Sequence, residues 1–203
     1  MEHIGGMCAA DAASRKEVKC YVIQTISGQE NILLDYMKIM LPAELVTESF
    51  IPKRQSNRHI KGKWQIVEER LFPGYVFVVT DDPNRLFIEL KKVPKLSKLL
   101  SDQQYFFIPL SGKETDFIMR IGRHRGDHIF GISKVAFENY PYKKGDKVCW
   151  IDGDLAEFSG EIKGFDLHRR KAIIHTGLFG GCDMHVGIEL IKRHETDEDE
   201  EAL

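Results

Sequence analysis

The sequence has few cysteines, and none lies in an arrangement that binds metals. The 203 residues include only four, Cys8, Cys20, Cys149 and Cys182, and no two form a Cys-x-x-Cys pair. This spacing argues against a structural zinc site and against a disulfide framework. Free cysteines suit a reducing compartment, so we expect a cytoplasmic protein.

Membrane segments and catalytic motifs are also missing. No apolar run approaches the roughly 18 to 20 residues of a membrane span, and residues 1–16 lack the apolar core of a secretory signal. No nucleotide-binding glycine loop, Gly-x-Ser-x-Gly elbow or His-Glu-x-x-His sequence occurs. The clustered histidines do not follow a familiar ligand spacing; they are His168, His175, His185 and His194. We therefore expect no cofactor, no metal and no enzymatic activity.

The net charge of −2 conceals two regions of opposite sign. Residues 195–201 hold six of the 31 acidic residues and no base, which leaves 29 basic against 25 acidic residues, or +4, on residues 1–194. A short acidic run of this kind is usually a solvated, disordered tail. The alternative is a tail that competes with nucleic acid for the mildly basic body.

The first two thirds of the chain alternate between strand and helix patterns. Short β-branched or aromatic runs predict strands, and apolar residues at helical spacing predict helices over 29–40, 84–92 and 112–124. Together they predict an α+β domain over residues 18–124, after a flexible leader at 1–17. Residues 125–141 are predicted to be a linker.

Only strand patterns follow the predicted linker. Glycines separate short β runs over residues 142–194, which predicts a small, strongly bent β-barrel. Alternation of Met184, Val186, Ile188 and Leu190 gives one strand a single buried face. An acidic tail at 195–203 ends the chain.

An aromatic strand stands at the centre of the first domain. Residues 69–80 place Pro73 and Gly74 before the run Tyr75 to Val79, and Trp64 to Glu69 is expected to be its hairpin partner. Phe72, Tyr75 and Phe77 lie within six residues. They predict either an ordinary core hairpin or a kinked strand that presents an aromatic surface to a partner.

Two segments are rich in basic residues. Residues 53–63 contain several Lys and Arg and no acid, as a solvated loop or a phosphate-binding segment would. His168, Arg169, Arg170 and Lys171 lie on a predicted turn between two strands, with Lys163 upstream. That turn is either a hydrophilic hairpin tip or a nucleic-acid contact, because Arg can bind phosphates and stack on unpaired bases.

The motifs resemble those of NusG-type transcription elongation factors. Tyr-Val-Ile-Gln-Thr at 21–25, Phe-Ile-Pro-Lys at 50–53, Lys-Gly-Lys at 61–63 and Arg-Leu-Phe-Pro-Gly-Tyr-Val-Phe-Val at 70–78 resemble the amino-terminal (NGN) domain of that family. Gly-Asp-Lys-Val-Cys-Trp-Ile-Asp-Gly at 145–153 resembles the start of its SH3-like KOW barrel. The resemblance spans residues 18–193.

This resemblance implies a protein that binds the clamp helices of RNA polymerase and favours the elongating state over paused states. By motif position, the implied RNA polymerase-binding residues are Tyr21, Gln24, Phe72, Pro73, Tyr75 and Phe77. The resemblance also implies a monomer, and it leaves open a contact with non-template DNA.

Some residues depart from the general factor. Cys20 stands where that factor usually has Trp, and Leu-Phe-Gly-Gly at 178–181 lacks the Arg of the turn that is linked to the termination factor Rho and to the ribosome. Residues 166–172 and 187–191 resemble the LoaP subfamily of operon-specific antiterminators. That resemblance implies binding to a nascent RNA hairpin through Lys163, His168, Arg169, Arg170 and Lys171.

Three functions therefore remain after the sequence analysis. The first is an operon-specific antiterminator that is recruited through RNA, and the second is the general NusG housekeeping factor. The third is a ribosome-associated RNA-binding protein that uses only the KOW barrel.

Overall fold

The computed structural model describes residues 19–92, 107–143 and 145–192. The predicted leader at 1–17 and the predicted tail at 195–203 lie outside these residues. The described strands and helices, in chain order, are β1 (Lys19–Gln24), α1 (Glu30–Met40), β2 (Glu48–Phe50), β3 (Lys53–Ile60), β4 (Lys63–Arg70), β5 (Tyr75–Thr80), α2 (Pro83–Lys91), β6 (Phe107–Pro109), α3 (Gly112–Arg120), β7 (Ile129–Phe130), β8 (Ser133–Phe137), β9 (Val148–Asp152), β10 (Ile162–Asp166), β11 (Lys171–Thr176) and β12 (Cys182–Ile191).

The first sheet has the order β2-β5-β1-β6, and its paired strands are antiparallel. Two-residue alternation gives β5 two different faces. Val76 and Val78 pack with Leu33 and Met37 of α1, whereas Phe77 belongs to a second apolar cluster on the opposite face. The α+β class predicted for this part of the chain is confirmed.

The basic segment predicted as a loop is a strand. Residues 53–60 form β3, which pairs antiparallel with β4 over its whole length, from Lys53 opposite Arg70 to Ile60 opposite Lys63. The predicted pairing of Trp64–Glu69 with the aromatic strand β5 is therefore wrong. The hairpin has no alternation of apolar and polar residues, because most of its side chains are charged or polar and neither face is continuously buried. The sequence pattern therefore did not indicate a strand here.

The segment 125–141, predicted as a linker, contains two strands. β7 pairs in parallel with β3, and β8 lies between β12 and β9 in the second large sheet. Only Gly131 and Ile132 separate β7 from β8. Both partners of these strands are distant in the chain, so local sequence patterns do not indicate the pairing.

The carboxy-terminal part is a five-stranded sheet with the order β10-β11-β12-β8-β9. Met184, Val186 and Ile188 of β12 are buried, as the alternation predicts. The sheet is bent enough that the rings of Phe137 on β8 and Phe165 on β10 meet edge to face, with centroids 5.5 Å apart.

The two sheets share one apolar core. Phe77 of the first sheet, Phe117 of α3, Phe158 and Ile174 belong to a single cluster of buried side chains. Gly187 of β12 lies so close to β3 that a Cβ on it would be 2.7 Å from the carbonyl oxygen of Gln55. We call the described residues of 19–130 the amino-terminal half and those of 133–192 the carboxy-terminal half. The two halves are therefore docked tightly against each other.

Candidate functional site

The bend before β5 is held by a buried carboxylate. Gly74 has a φ of +87°, a conformation that glycine adopts without steric cost. Its N–H donates to Oε1 of Glu30 at 2.7 Å, and the N–H of Gly28 donates to Oε2 at 2.8 Å. The Nε of Arg70 lies 3.2 Å from the same carboxylate. Glu30 thus ties the start of α1 to the Pro-Gly bend.

The environment of Glu30 keeps it ionised. Burial alone would raise the pKa of this carboxyl, but the hydrogen bonds from Gly74 and Gly28 and the charge of Arg70 outweigh burial and lower the pKa below its ordinary value. The position of the bend, and with it that of the aromatic side chains on both sides, therefore depends on a charged group inside the protein.

Four of the predicted polymerase-binding residues lie together. Gln24 is the register partner of Tyr75, so the two side chains share a face of the sheet with Phe77. The rings of Phe72 and Phe77 are 6.0 Å apart. Pro73 follows Phe72 on the bend and is exposed. We call Gln24, Phe72, Tyr75 and Phe77 the aromatic face.

A ring from the carboxy-terminal half covers this aromatic face. Phe179 stacks on Tyr75 with a centroid distance of 4.5 Å and meets Phe72 edge to face at 5.8 Å. It extends from the turn 178–181, in which Phe179 has a φ of +56° and Gly180 a φ of +82°. The loop backbone thus directs a large apolar side chain at the surface that we expected to be open.

The expectation of an open aromatic surface is therefore wrong for this conformation. Phe77 is fully buried, Phe72 is nearly so, and Tyr75 is half-buried beneath Phe179. A cavity of about 530 Å³ lies farther along the junction between the halves, but its lining includes Arg120, Glu161 and His175 rather than these rings.

Tyr21 is separated from the other predicted residues. It pairs with Val78, whose side chain faces the helices, and its own ring stacks on Phe107 at 4.7 Å. The neighbouring Cys20 faces the shared core, where burial raises the pKa of its thiol to about 12. A single strand thus directs these two adjacent motif positions to opposite sides of the sheet.

The predicted RNA-binding residues divide into two groups. Lys163 on β10 donates to Asp183 at 2.6 Å, and His175 contacts the same carboxylate at 2.9 Å. The hydrogen bonds from Lys163 and His175 hold the pKa of Asp183 below its ordinary value. The positive charge of Lys163 is therefore compensated within the protein.

The other predicted residues form the turn between β10 and β11. His168 and Arg169 are exposed, and Asp166 accepts a hydrogen bond from the backbone N–H of Arg169 at 3.0 Å. The guanidinium carbon of Arg170 lies 4.7 Å from the ring centre of Trp64, on the hairpin of the other half. Lys171 begins β11 opposite Asp166. The turn therefore presents cations next to an aromatic ring.

Comparison with known proteins identifies the family. The family model described as "Transcription termination factor nusG" matches residues 19–119, which include the aromatic face and the Pro-Gly bend.

Residues 19–119 belong to the NusG family.

Similar NusG proteins cover most of the chain. The protein named "Transcription termination/antitermination protein NusG" from Haemophilus influenzae is 25% identical over 164 residues, and the match covers 79% of this chain and 85% of the relative. The Helicobacter pylori J99 protein of the same name is 26% identical over 174 residues, covering 79% of this chain and 89% of that protein. A solved structure described as "Domain interaction in Thermotoga maritima NusG" is 20% identical, with a TM-score of 0.40 and coverage of 84% and 94%.

Two residues that take part in the contacts described above, Phe179 and Trp64, were not predicted from the sequence. Phe179 was noted only for the missing Arg in its turn, and Trp64 only as part of a strand. Both contacts join the two halves, so neither follows from local periodicity. Phe179 is 37% exposed and Trp64 is 45% exposed, which is unusual for large aromatic side chains and could have marked both as surface contacts. Exposure is known only once the chain is folded.

No metal site or membrane span is present in the described part of the chain. Within residues 19–92, 107–143 and 145–192, no three His, Cys, Asp or Glu side chains gather as metal ligands. In the same ranges, no helix has the length and apolar character required to cross a bilayer.

Proposed function

We propose that this NusG-family protein is a transcription factor that binds RNA polymerase through the aromatic face and promotes processive antitermination of particular operons. The five-stranded sheet acts as its KOW module and contacts nascent RNA through the turn 167–171. The resemblance to LoaP factors supports the operon-specific form of this proposal. The general NusG housekeeping factor is the alternative.

The observation that carries the polymerase proposal is the contact between Phe179 and Tyr75. Tyr75 is half-buried, and the ring stacked on it comes from a turn of the other half rather than from its own sheet. Removing Phe179 would expose an apolar surface formed by Phe72 and Tyr75, beside the exposed Pro73. Helices of a partner fit such a surface, and aromatic residues supply much of the binding energy in interfaces of this kind.

The residues that line a cavity beside Pro73 also support polymerase binding at the aromatic face. The surface around Pro73 continues into a cavity of about 630 Å³, which is lined by charged side chains that include Lys53, Glu68 and Arg70. An apolar centre with a charged rim is the usual composition of a protein-binding surface. The partner helices would therefore have apolar residues at the centre and charged residues at the edge.

The test is the affinity of the full chain for bacterial core RNA polymerase, measured by biolayer interferometry. Tyr75→Ala should weaken binding by about tenfold or more, because a central aromatic side chain is lost. Tyr140→Ala removes an exposed ring elsewhere and is the matched control. Equal affinity of the Tyr75→Ala variant and the wild type would contradict the proposed face, provided that both are folded by circular dichroism.

Transcription in vitro separates the two forms of the proposal. A template carries an intrinsic terminator, with or without an upstream leader hairpin from the operon that adjoins the gene. Readthrough that increases only when the leader is present supports the operon-specific antiterminator. An equal effect on both templates supports the general factor.

A further inference from the structure

Trp64 and Arg170 join two segments that are distant in the chain into one surface. Trp64 lies near the start of β4, and 45% of its surface is exposed. Arg170 covers part of the ring from the β10–β11 turn, and His59 lies opposite Trp64 in the hairpin, with ring centres 5.3 Å apart. We call the surface formed by His59, Lys61, Trp64, His168, Arg169 and Arg170 the composite face.

The composite face carries positive charge that the protein does not neutralise. Farther along the hairpin, Arg54 and Arg58 both pair with Glu69. Across the residues that the structure describes, by contrast, no carboxylate pairs with Lys61 or Arg170. On the turn, the contact between Arg169 and Asp166 is long, at 3.8 Å. Lys61 and Arg170 therefore carry charge that no described carboxylate neutralises, and Arg170 lies against the exposed ring of Trp64.

The backbone fixes Arg170 in an unusual conformation. Its φ of +52° lies in the left-handed region, which residues with a Cβ seldom adopt. The N–H of Ile188 donates to the Arg170 carbonyl at 3.0 Å and helps hold this conformation. Strained backbone of this kind is concentrated at functional positions. Here it places a guanidinium plane against Trp64.

We propose that the composite face binds the loop of an RNA hairpin, with an unpaired base stacked on the exposed part of Trp64 and phosphates bound by Lys61 and Arg169. Proteins read single-stranded RNA loops by stacking bases on aromatic rings and guanidinium groups, while cations bind the backbone. This inference rests on the RNA-binding role proposed above and extends that site into the amino-terminal half.

One consequence is that RNA binding depends on the docked arrangement of the two halves. β12 lies against β3, where Asn57 donates to the carbonyl of Ile188 at 2.9 Å and Arg54 donates to that of His185. These bonds hold the turn and the hairpin side by side. Separating the halves would divide the RNA contacts between two unconnected surfaces.

Tryptophan fluorescence tests the stacking directly. The chain has two tryptophans, so Trp150→Phe leaves Trp64 as the single reporter. This variant of the full chain is titrated with a pool of RNA hairpins that share one stem and have a randomised loop. Quenching that saturates with RNA is expected. Binding of the same RNA pool is measured independently by the anisotropy of a fluorescent label. If the RNA binds and Trp64 fluorescence does not change, then the stacking contact is overturned.

Affinity measurements on variants test the extent of the site. Trp64→Ala should weaken RNA binding about tenfold, whereas Trp64→Phe, which keeps an aromatic face, should bind nearly as well as the wild type. Lys61→Gln should reduce the slope of log K against log salt by about 0.7, the value for one phosphate of a single strand. Lys38→Gln, on α1 and outside the composite face, should leave the slope unchanged.

The outcomes distinguish this inference from the proposed function. Loss of affinity in Arg169→Gln, with none in Trp64→Ala or Lys61→Gln, would confine RNA binding to the turn and overturn the composite face. Absence of RNA binding by the wild type would remove the RNA-binding role itself. Equal affinity for DNA hairpins of the same sequences would exclude RNA as the specific partner.

Discussion

At the scale of single residues, Phe179 and Glu30 have the largest consequences for the aromatic face. Phe179 covers the face from outside, and Glu30 fixes the bend from inside. One contact is apolar and lies over the face that we propose binds polymerase, so on that proposal Phe179 must move aside. The other is ionic and buried, so its loss should affect folding rather than partner binding.

Replacing Phe179 should favour polymerase binding. We expect Phe179→Ala to raise the affinity of the full chain for core RNA polymerase by roughly three- to tenfold, because an aromatic pair contributes about 0.5 to 1.5 kcal/mol beyond its area burial. Phe179→Tyr keeps the ring and should behave like the wild type. If Phe179→Ala binds more weakly than the wild type, then the ring contributes to the polymerase interface and does not cover it.

Replacing Glu30 should make the protein less stable and less sensitive to acid. Because the folded pKa of Glu30 lies below its ordinary value, this carboxylate stabilises the fold at neutral pH, and the stabilisation is lost as the pH falls through the folded pKa. We expect Glu30→Gln to lower the free energy of unfolding at neutral pH by about 3 kcal/mol, since its buried donors lose a charged acceptor.

Urea unfolding at neutral pH and near pH 4 measures both effects. The difference between the wild type and Glu30→Gln should shrink at the lower pH, because the carboxyl of the unfolded wild-type chain takes up a proton there more readily than the folded one. Glu44→Gln, at an exposed carboxylate on the same half, is the control and should change the stability little. A constant difference between the two pH values would mean that the folded pKa of Glu30 is not lowered.

At the scale of secondary-structure elements, the sequence predicted the helices and strands whose apolar residues recur at a regular local spacing. α1 has an apolar stripe that reaches Leu33 and Met37, and β12 has alternating buried residues, so both were found. The hairpin β3–β4 was not, because its strands carry charged residues and neither face is continuously apolar. β7 and β8 are short and pair with strands far away in the chain, which no local pattern reveals.

The same limit applied to the candidate sites. The motif at 70–78 located the bend and the aromatic residues Phe72, Tyr75 and Phe77, and two-residue alternation placed the last two on one face. Two further contacts depend on how the halves dock: Phe179 covers this face, and Arg170 lies over the ring of Trp64. These contacts are tertiary, so they follow from the fold and not from the spacing of residues.

At the scale of the whole molecule, the two halves share a core and should unfold together. Arg120 of α3 illustrates the coupling: it donates to the carbonyl of Glu157 at 2.7 Å and to the carboxylate of Glu161 at 2.6 Å, and it packs over Phe158. With apolar and polar contacts both crossing the junction, neither half is complete alone.

One tryptophan lies in each half and can report on this coupling. We expect Trp64 and Trp150, each studied with the other replaced by Phe, to give the same urea midpoint. Gly187→Ala should separate the two midpoints and lower the stability by about 1 to 3 kcal/mol, because the added Cβ would collide with Ile132 and the Gln55 carbonyl.

Gly160→Ala is the matched control for Gly187. A Cβ at Gly160 meets no atom within 4 Å, so this substitution should leave the two midpoints coincident. Different midpoints for Trp64 and Trp150 in the otherwise unaltered protein would show that the halves are independent folding units, contrary to the shared core.

The two residues between β7 and β8 determine how the protein responds to competitors. Gly131 donates its N–H to Asp154 in one half, and Ile132 donates to Gln55 in the other. If Phe179 leaves Tyr75, so short a tether keeps the two rings near each other at an effective concentration on the order of millimolar. On the proposed function, RNA polymerase would therefore compete with an intramolecular ligand that dilution of the protein cannot weaken.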